Sequence, residues 1–307
     1  MKKISYLIIL CLILSGCSAV QPGTTDDSEL TLTDSAGNTV ALKKDARIAS
    51  AYGSFSECWL LSGGTLVGVT DDAVNERYLP LDDTTEIIGT VKEINLEALA
   101  AVNPDYVILS EDITTQKSLK ESLSSMGIPC GYYKVDSFED YDNMMKQFCS
   151  FNAREDLYQK NVIEVKQNIE NILKKVPSES DKTYLLMRAY STGIKVKSDN
   201  LADSIIKDFN ISSLADAVPS LLDTLSLEEI ITQDPDYIFV LTMGDETAAR
   251  KYLADSLESN PAWNGLTAVK SDNLIVLPKE LFHYKPNDRW DDSYEYIAKI
   301  IYPEIFE

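Results

Sequence analysis

The 307-residue chain contains one histidine, His283. That scarcity excludes HExxH zinc sites and multi-histidine metal clusters, and it leaves a Ser-His-Asp triad a single candidate base. Basic side chains are also few, 28 against 49 acidic ones, for a net charge of −21. A chain of this sign repels phosphate backbones, so nucleic acid is not an expected partner. No GxSxG elbow, P-loop or GxGxxG occurs, and no enzyme is expected. After the N-terminal segment no apolar run reaches ~18 residues, the length a spanning helix needs. What remains is a chain that is 44% hydrophobic, enough to build a core, and long enough for one to three domains at ~100–200 residues each.

The N-terminus indicates where the protein works. Lys2 and Lys3 precede a short apolar run, Tyr6 to Leu14, and then Leu14-Ser15-Gly16-Cys17. The pattern is that of a signal peptide. Its last four residues resemble a bacterial lipobox, which implies cleavage before Cys17 and lipidation of its thiol. Residues 1–16 would be lost, and with them two lysines, taking the charge to −23. Residues 17–29 are polar and contain Pro and Gly, as a flexible tether does. The mature protein is thus expected outside the cytoplasm, held to the membrane by acyl chains. Of the five cysteines, Cys58, Cys130 and Cys149 remain. Their odd number and lack of CxxC spacing support neither a disulfide framework nor a zinc site, so buried free thiols are expected.

Patterning predicts an α/β fold. Leu30–Leu42 alternates around a turn, as a hairpin does. Short buried strands are predicted at Arg47–Ala51, Leu66–Val69, Tyr106–Leu109 and Cys130–Val135, with helices at Ser54–Leu61, Asn95–Val102 and Ser118–Met126. A long helix is predicted from Asn152 to Val176, on apolar residues at helical spacing, an N-terminal Asn152/Glu155 capping box and a stop at Pro177. Such a rod would be about 36 Å long. Strands at Thr183–Met187, Tyr237–Leu241 and Asn273–Leu277 then alternate with helices at Leu201–Phe209, Ser226–Thr232 and Thr247–Ser256, and Asp291–Ile301 closes the chain. Strand–helix alternation implies parallel sheets. The predicted boundaries are a first lobe over 30–151, the connecting helix over 152–177 and a second lobe over 178–307.

The two halves share a repeat. Residues 96–109 (LEALAAVNPDYVIL) align without gaps to residues 227–240 (LEEIITQDPDYIFV), with five of 14 positions identical. Each copy reads as helix, Pro-Asp turn and buried strand.

With the lipobox, the opening hairpin, the long helix and the segment NPAWNGLTAVKSDNLIVLP, the chain resembles the class III periplasmic binding proteins. These are substrate-binding components of ABC importers for ferric siderophores, haem and cobalamin. The resemblance covers nearly all of the mature chain. It implies two Rossmann-like lobes joined by one rigid helix, with a ligand cleft between them. The ending LFHYKPNDRWDDSYEYIAKIIYPE is similar to a clostridial-type branch described as iron-complex transport. The implied ligand is a ferric siderophore-like chelate, the implied macromolecular partner an ABC permease dimer, and the protein is expected to be a monomer without a resident cofactor or metal. Haem, cobalamin or an oxyanion such as molybdate are alternatives on the same fold. A surface receptor that senses ligand without transport is the alternative of another class.

The resemblance also implies roles for residues. Glu97 and Glu228, each seven residues before the proline of its repeat, match the glutamates that dock to permease arginines. Read without the family, they are solvated carboxylates at helix N-termini. The cleft should lie between loops that follow the strands: Tyr52–Phe55, Asp71–Arg77, Ser110–Thr114 and Asp136–Phe138 in the first lobe, and Arg188–Thr192, Met243–Asp245 and Leu281–Trp290 in the second. Residues 182–198 hold four basic residues and no acid, and residues 279–290 add Lys279, His283, Lys285 and Arg289 among aromatics. The candidate ligand-binding residues are Tyr52, Ser54, Phe55, Arg188, Tyr190, His283, Tyr284, Lys285 and Arg289. They suggest a basic, aromatic cleft suited to an anionic ligand. His283 reads either as a metal ligand of haem or cobalt, or as a polar residue of the cleft rim. Trp263 reads as core packing. The Asp71-Asp72 and Asp82-Asp83 pairs lack the DxDxDG spacing and read as solvated loops. Binding is expected to be saturable and to quench tryptophan fluorescence.

Overall fold

The computed structural model describes residues 30–306. The signal peptide, Cys17 and the tether lie outside the described residues. The chain opens with an antiparallel hairpin, β1 (Leu30–Thr33) and β2 (Thr39–Leu42). The Asp34 carboxylate closes its turn, accepting from the backbone N–H groups of Ala36 and Asn38 at 3.0 and 2.8 Å.

A five-stranded parallel sheet follows: β3 (Ile48–Ser50), β4 (Gly68–Val69), β5 (Glu86–Ile87), β6 (Tyr106–Ser110) and β7 (Cys130–Tyr133), in the spatial order β5-β4-β3-β6-β7. The second sheet holds β8 (Thr183–Tyr190), β9 (Gly193–Val196), β10 (Ser212–Ser213), β11 (Tyr237–Thr242) and β12 (Leu274–Val276), with the parallel path β10-β8-β11-β12. β9 folds back antiparallel on the end of β8. The expected strand thus continues three residues past Met187 into a hairpin, and Arg188 and Tyr190 stand on it rather than in a loop.

The repeat is structural. The helix Leu96–Ala101 leads into β6, and the helix Leu227–Gln233 into β11, each an interior strand of its sheet. Asn103 and Asp234, the residues before the two prolines, both adopt the left-handed region, with φ of 45° and 43°. The following aspartates make the same bond: Asp105 accepts from Arg47 N–H and Asp236 from Thr183 N–H, both at 2.8 Å. Each carboxylate clasps the start of the neighbouring strand. Alternation then sorts the side chains. Tyr106 and Ile108, like Tyr237 and Phe239, join one cluster that runs through both halves. Val107 and Leu109, like Ile238 and Val240, face the cores private to each lobe. Gly131 on β7 lets the Tyr106 hydroxyl reach Tyr133 at 3.0 Å, since a Cβ at this position would collide with that oxygen.

The connection between the sheets differs from the expected rod. A helix at Phe138–Phe151 precedes it, unforeseen, and Asn152 caps the C-terminus of that helix. Ala153 turns with φ of 54° and the next helical segment starts at Glu155. The Asn152/Glu155 capping box is therefore not formed. Asn152 instead donates its amide to Ser62 Oγ at 2.8 Å. From Glu155 the chain is continuously helical to Leu173, with a π-turn over Gln159–Glu164. That turn points Asn161 inward, where its side chain donates to Leu61 O at 2.9 Å. Cys58 and Cys149 are buried free thiols and Cys130 is partly buried.

Candidate functional site

Parallel sheets present their loops and helix ends at the carboxyl ends of the strands, where ligand sites form. A cavity of about 350 Å³ lies there, lined from both halves of the chain. Tyr52 follows β3, Ser110 ends β6 with Asp112 and Ile113 after it, and Asp136 follows β7. The second half adds Arg188 near the end of β8, Asp199 to Leu201 after β9, and Phe282, His283 and Lys285 after β12.

The segment after β12 crosses to the first lobe. Lys285 is buried, and its ammonium lies 3.0 Å from Asp136 Oδ1 and 3.6 Å from Asp112 Oδ2. Burial raises the Asp136 carboxyl, but Lys285 and Lys134 outweigh it and hold the group below the usual carboxylate range. Arg77 donates to Lys285 O at 3.1 Å and pairs with Glu57. Asn287 is fully buried; its amide donates to Ser54 O at 2.9 Å and to Glu57 Oε2 at 2.5 Å, and its own oxygen accepts from the Cys58 thiol at 3.3 Å. The two halves are thus laced together at one edge of the cavity.

Arg188 stands apart. Among the described residues it takes part in no ion pair, and its buried Nε has no acceptor. His283 is partly buried. Burial, reinforced by Arg188, Lys279 and Lys285, pushes its imidazole down to about 4, so it is uncharged at neutral pH. The native state therefore resists a proton that the unfolded chain accepts. Stability is full above about pH 6.5 and falls as the pH drops toward 4. Between pH 7 and pH 5 the protein should lose about 2 kcal/mol more than His283→Gln does. Urea unfolding at the two pH values measures this difference; equal slopes would refute it.

The periplasmic binding protein family matches residues 48–281. This chain belongs to that family. It is 25% identical over 284 residues to the Fe(3+)-citrate-binding protein YfmC of Bacillus subtilis, covering 88% of this chain and 86% of the relative. It is 22% identical to the petrobactin-binding protein YclQ of the same organism, covering 90% and 91%. Two solved structures share the fold. Bacillus subtilis FeuA, complexed with ferri-bacillibactin, superposes with a TM-score of 0.68 at 18% identity, covering 88% of this chain and 96% of that one. Staphylococcus aureus IsdE, complexed with haem, gives 0.67 at 18% identity, covering 84% and 99%. The class III resemblance read from the sequence is therefore correct.

In this binding protein the expected site residues divide. Tyr52, Arg188, His283 and Lys285 line the cavity. Phe55 does not: it is fully buried in the core and packs edge-on against Tyr133. Ser54 is buried beneath the cavity, its carbonyl taken by Asn287. Tyr190 ends β8 at the hairpin turn, outside the lining. Tyr284 turns to the first lobe, where burial and then Glu76 raise its hydroxyl. Arg289 also lies outside the lining, at the start of the last helix. The loops Asp71–Arg77 and Met243–Asp245 do not line it either. Asp72 is no solvated carboxylate: it is buried and accepts from Gly53 N–H and Thr70 Oγ at 2.7 and 2.6 Å. The lining also holds three carboxylates, Asp112, Asp136 and Asp199, beside Arg188 and Lys285, with Lys134 3.0 Å from Asp136.

Asp199, Asn200 and Leu201 were not foreseen. The hairpin brings them to the cavity, and Asn200 caps the helix Leu201–Lys207. The Asn200/Asp203 pair was the visible signal for that cap. Glu97 and Glu228 are both exposed, and each is the second residue of its helix, behind the caps Asn95 and Ser226. The adjacent Glu229 is instead held by Gln233 at 2.9 Å.

Proposed function

We propose that this protein is the extracytoplasmic, lipid-anchored solute-binding component of an ABC importer, carrying a ferric chelate in the cavity between its lobes. The observation that carries the ligand assignment is Arg188, a cavity-lining guanidinium with no carboxylate partner among the described residues and a buried N–H unpaired among them. Such a donor suits the iron-bound oxygens of a chelate. The names of the Bacillus subtilis relatives support iron as the cargo. Cys17 carries the acyl chains, and Glu97 and Glu228 meet basic residues of the permease. The protein acts as a monomer.

The continuous helix Glu155–Leu173 and the lacing through Lys285 and Asn287 support a rigid connection with small closure. A single packed helix bends less readily than paired extended strands.

A ligand-panel titration of the chain lacking residues 1–17 tests this reading. One ferric chelate should bind with a Kd of about 1 μM or tighter. Arg188→Ala should weaken it about 30-fold, since a hydrogen bond to a charged group is worth about 2 kcal/mol. Failure to bind any ferric chelate, haem or corrinoid would refute the assignment. Haem is the second reading, favoured by His283, which faces the cavity uncharged, as an iron ligand must be. In that case the loaded protein would show a Soret band that His283→Ala shifts.

A further inference from the structure

Gln116 is a fully buried carboxamide on the short helix Thr114–Lys117 after β6, outside the lining of the cavity. Its side chain makes three hydrogen bonds, all to backbone. Oε1 accepts from Ser110 N–H at 2.8 Å, and Nε2 donates to Ala51 O at 2.6 Å and to Val91 O at 2.9 Å. The first two partners belong to the cavity edge: Ser110 lines it, and Ala51 precedes the lining residue Tyr52. The third lies in a largely exposed turn, Thr90–Glu93, whose ends exchange backbone hydrogen bonds at 3.0 and 3.2 Å. Among the described residues, Gln116 is the only side chain from outside that turn to bond its backbone. Two residues beyond the turn, Asn95 caps the helix Leu96–Ala101, its Oδ1 accepting from the N–H of Glu97 at 3.0 Å.

A carboxamide is planar, so fixing its oxygen and one N–H fixes the direction of the other N–H. Here the oxygen and one N–H are held at the cavity edge, and the other N–H holds the turn that leads to Glu97. The second half has no such relay. Thr242, which ends β11, has a buried hydroxyl without a partner among the described residues. Nor, among those residues, does a side chain join the ends of β8 and β11 to the segment before the helix Leu227–Gln233. We propose that Gln116 is a positioning residue that couples occupancy of the cavity to the Glu97 side of the docking face, in the first lobe alone. A ligand that restrains Tyr52 and Ser110 restrains the turn through Gln116. No change of shape is needed: a turn with few anchors opens locally, and a firmer anchor lowers its open fraction. A loaded carrier thereby offers the permease a better ordered helix than an empty one. The inference rests on the carrier reading above and on the docking role of Glu97.

The test is hydrogen exchange, followed by mass spectrometry, on the chain lacking residues 1–17 with and without saturating probe. The probes are ferric citrate, ferrichrome, ferric enterobactin and haem. With a probe that binds, exchange over Thr90–Glu97 should slow at least about tenfold, while Thr224–Glu229 in the second half changes less than about twofold. That comparison is made in the unaltered protein and decides the coupling without a variant. Gln116→Met removes the three bonds at similar volume. Exchange over Thr90–Glu97 should then be faster throughout, and the ratio between free and loaded protein should fall to within about twofold. A merely structural role would raise both rates and leave that ratio unchanged. Unchanged exchange over Thr90–Glu97 on binding, or equal slowing of the two segments, would overturn the coupling and leave the carrier reading standing. Slowing that persists in Gln116→Met would overturn the role of Gln116. Binding of none of the four probes would overturn the carrier reading and the coupling with it.

Discussion

Replacing Glu97 and Glu228 together by alanine is expected to abolish uptake while leaving ligand affinity unchanged. Both carboxylates are exposed at the second position of equivalent helices, and both helices feed an interior strand of their sheet. The pair is thus displayed symmetrically by the two copies of one motif. Paired charges on a docking face fix register and speed encounter. Their loss costs the fold little, because a carboxylate near an exposed helix N-terminus contributes only about 0.3–1 kcal/mol. Uptake in whole cells should fall at least about 100-fold for the double variant, with each single variant intermediate. Glu229→Ala is the internal control, since its carboxylate is engaged by Gln233. Weakened ligand binding in the double variant, or unchanged uptake, would remove both residues from the docking face.

Lys285→Met is expected to be the most destabilising single change at the cavity. The ammonium is buried between carboxylates, and its removal leaves Asp136 with the half-exposed Lys134, 3.0 Å away, as its remaining counter-charge. Breaking such a pair costs about 3–5 kcal/mol. Partial exposure of Asp112 and Asp136, and the remaining pair with Lys134, put the expected loss below that range, about 2 kcal/mol. Asp136→Asn in the same chain removes the under-compensated charge and should recover about half of it. Urea denaturation of the two single variants and the double gives the coupling directly. Additive losses would show that Lys285 acts through packing and not through charge. The pH dependence follows the same pair. Because Asp136 is held below the usual carboxylate range, its contribution is present above about pH 4 and is lost as the pH falls below that value.

Much of this was legible in the sequence because it rests on local, repeated chemistry. The repeat at residues 96–109 and 227–240 announced two similar lobes, and the Pro-Asp turn carries the carboxylate that clasps each strand. The apolar spacing also held a signal that went unread. Leu157 is followed by Val162 after five residues, a step too long for an α-helix, and the π-turn at Gln159–Glu164 absorbs it. The cavity was harder to read. Arg188 and His283 were found by composition, but the charge of a site is a sum over side chains brought together from both halves of the chain. Asp112, Asp136 and Asp199 lie 87 residues apart at the extremes, and only the folded arrangement brings them to one cavity. Phe55 and Asp72 illustrate the same limit. Each belongs to a segment beside the cavity, yet packing turns one into the core and buries the other beneath Gly53.

The three tryptophans are all buried, Trp59 at 2% exposed and Trp263 and Trp290 at 0%. None lines the cavity. The indoles are therefore reporters of the fold rather than of occupancy. Their emission should be blue and should change sharply when the chain unfolds. A bound ligand that does not absorb in the emission band should leave it nearly untouched, so the quenching expected from the sequence requires a cargo that takes up the emission by energy transfer. Fluorescence titration would then score a protein loaded with a colourless ligand as empty. Heat of binding, or the colour of the cargo, is the signal to follow.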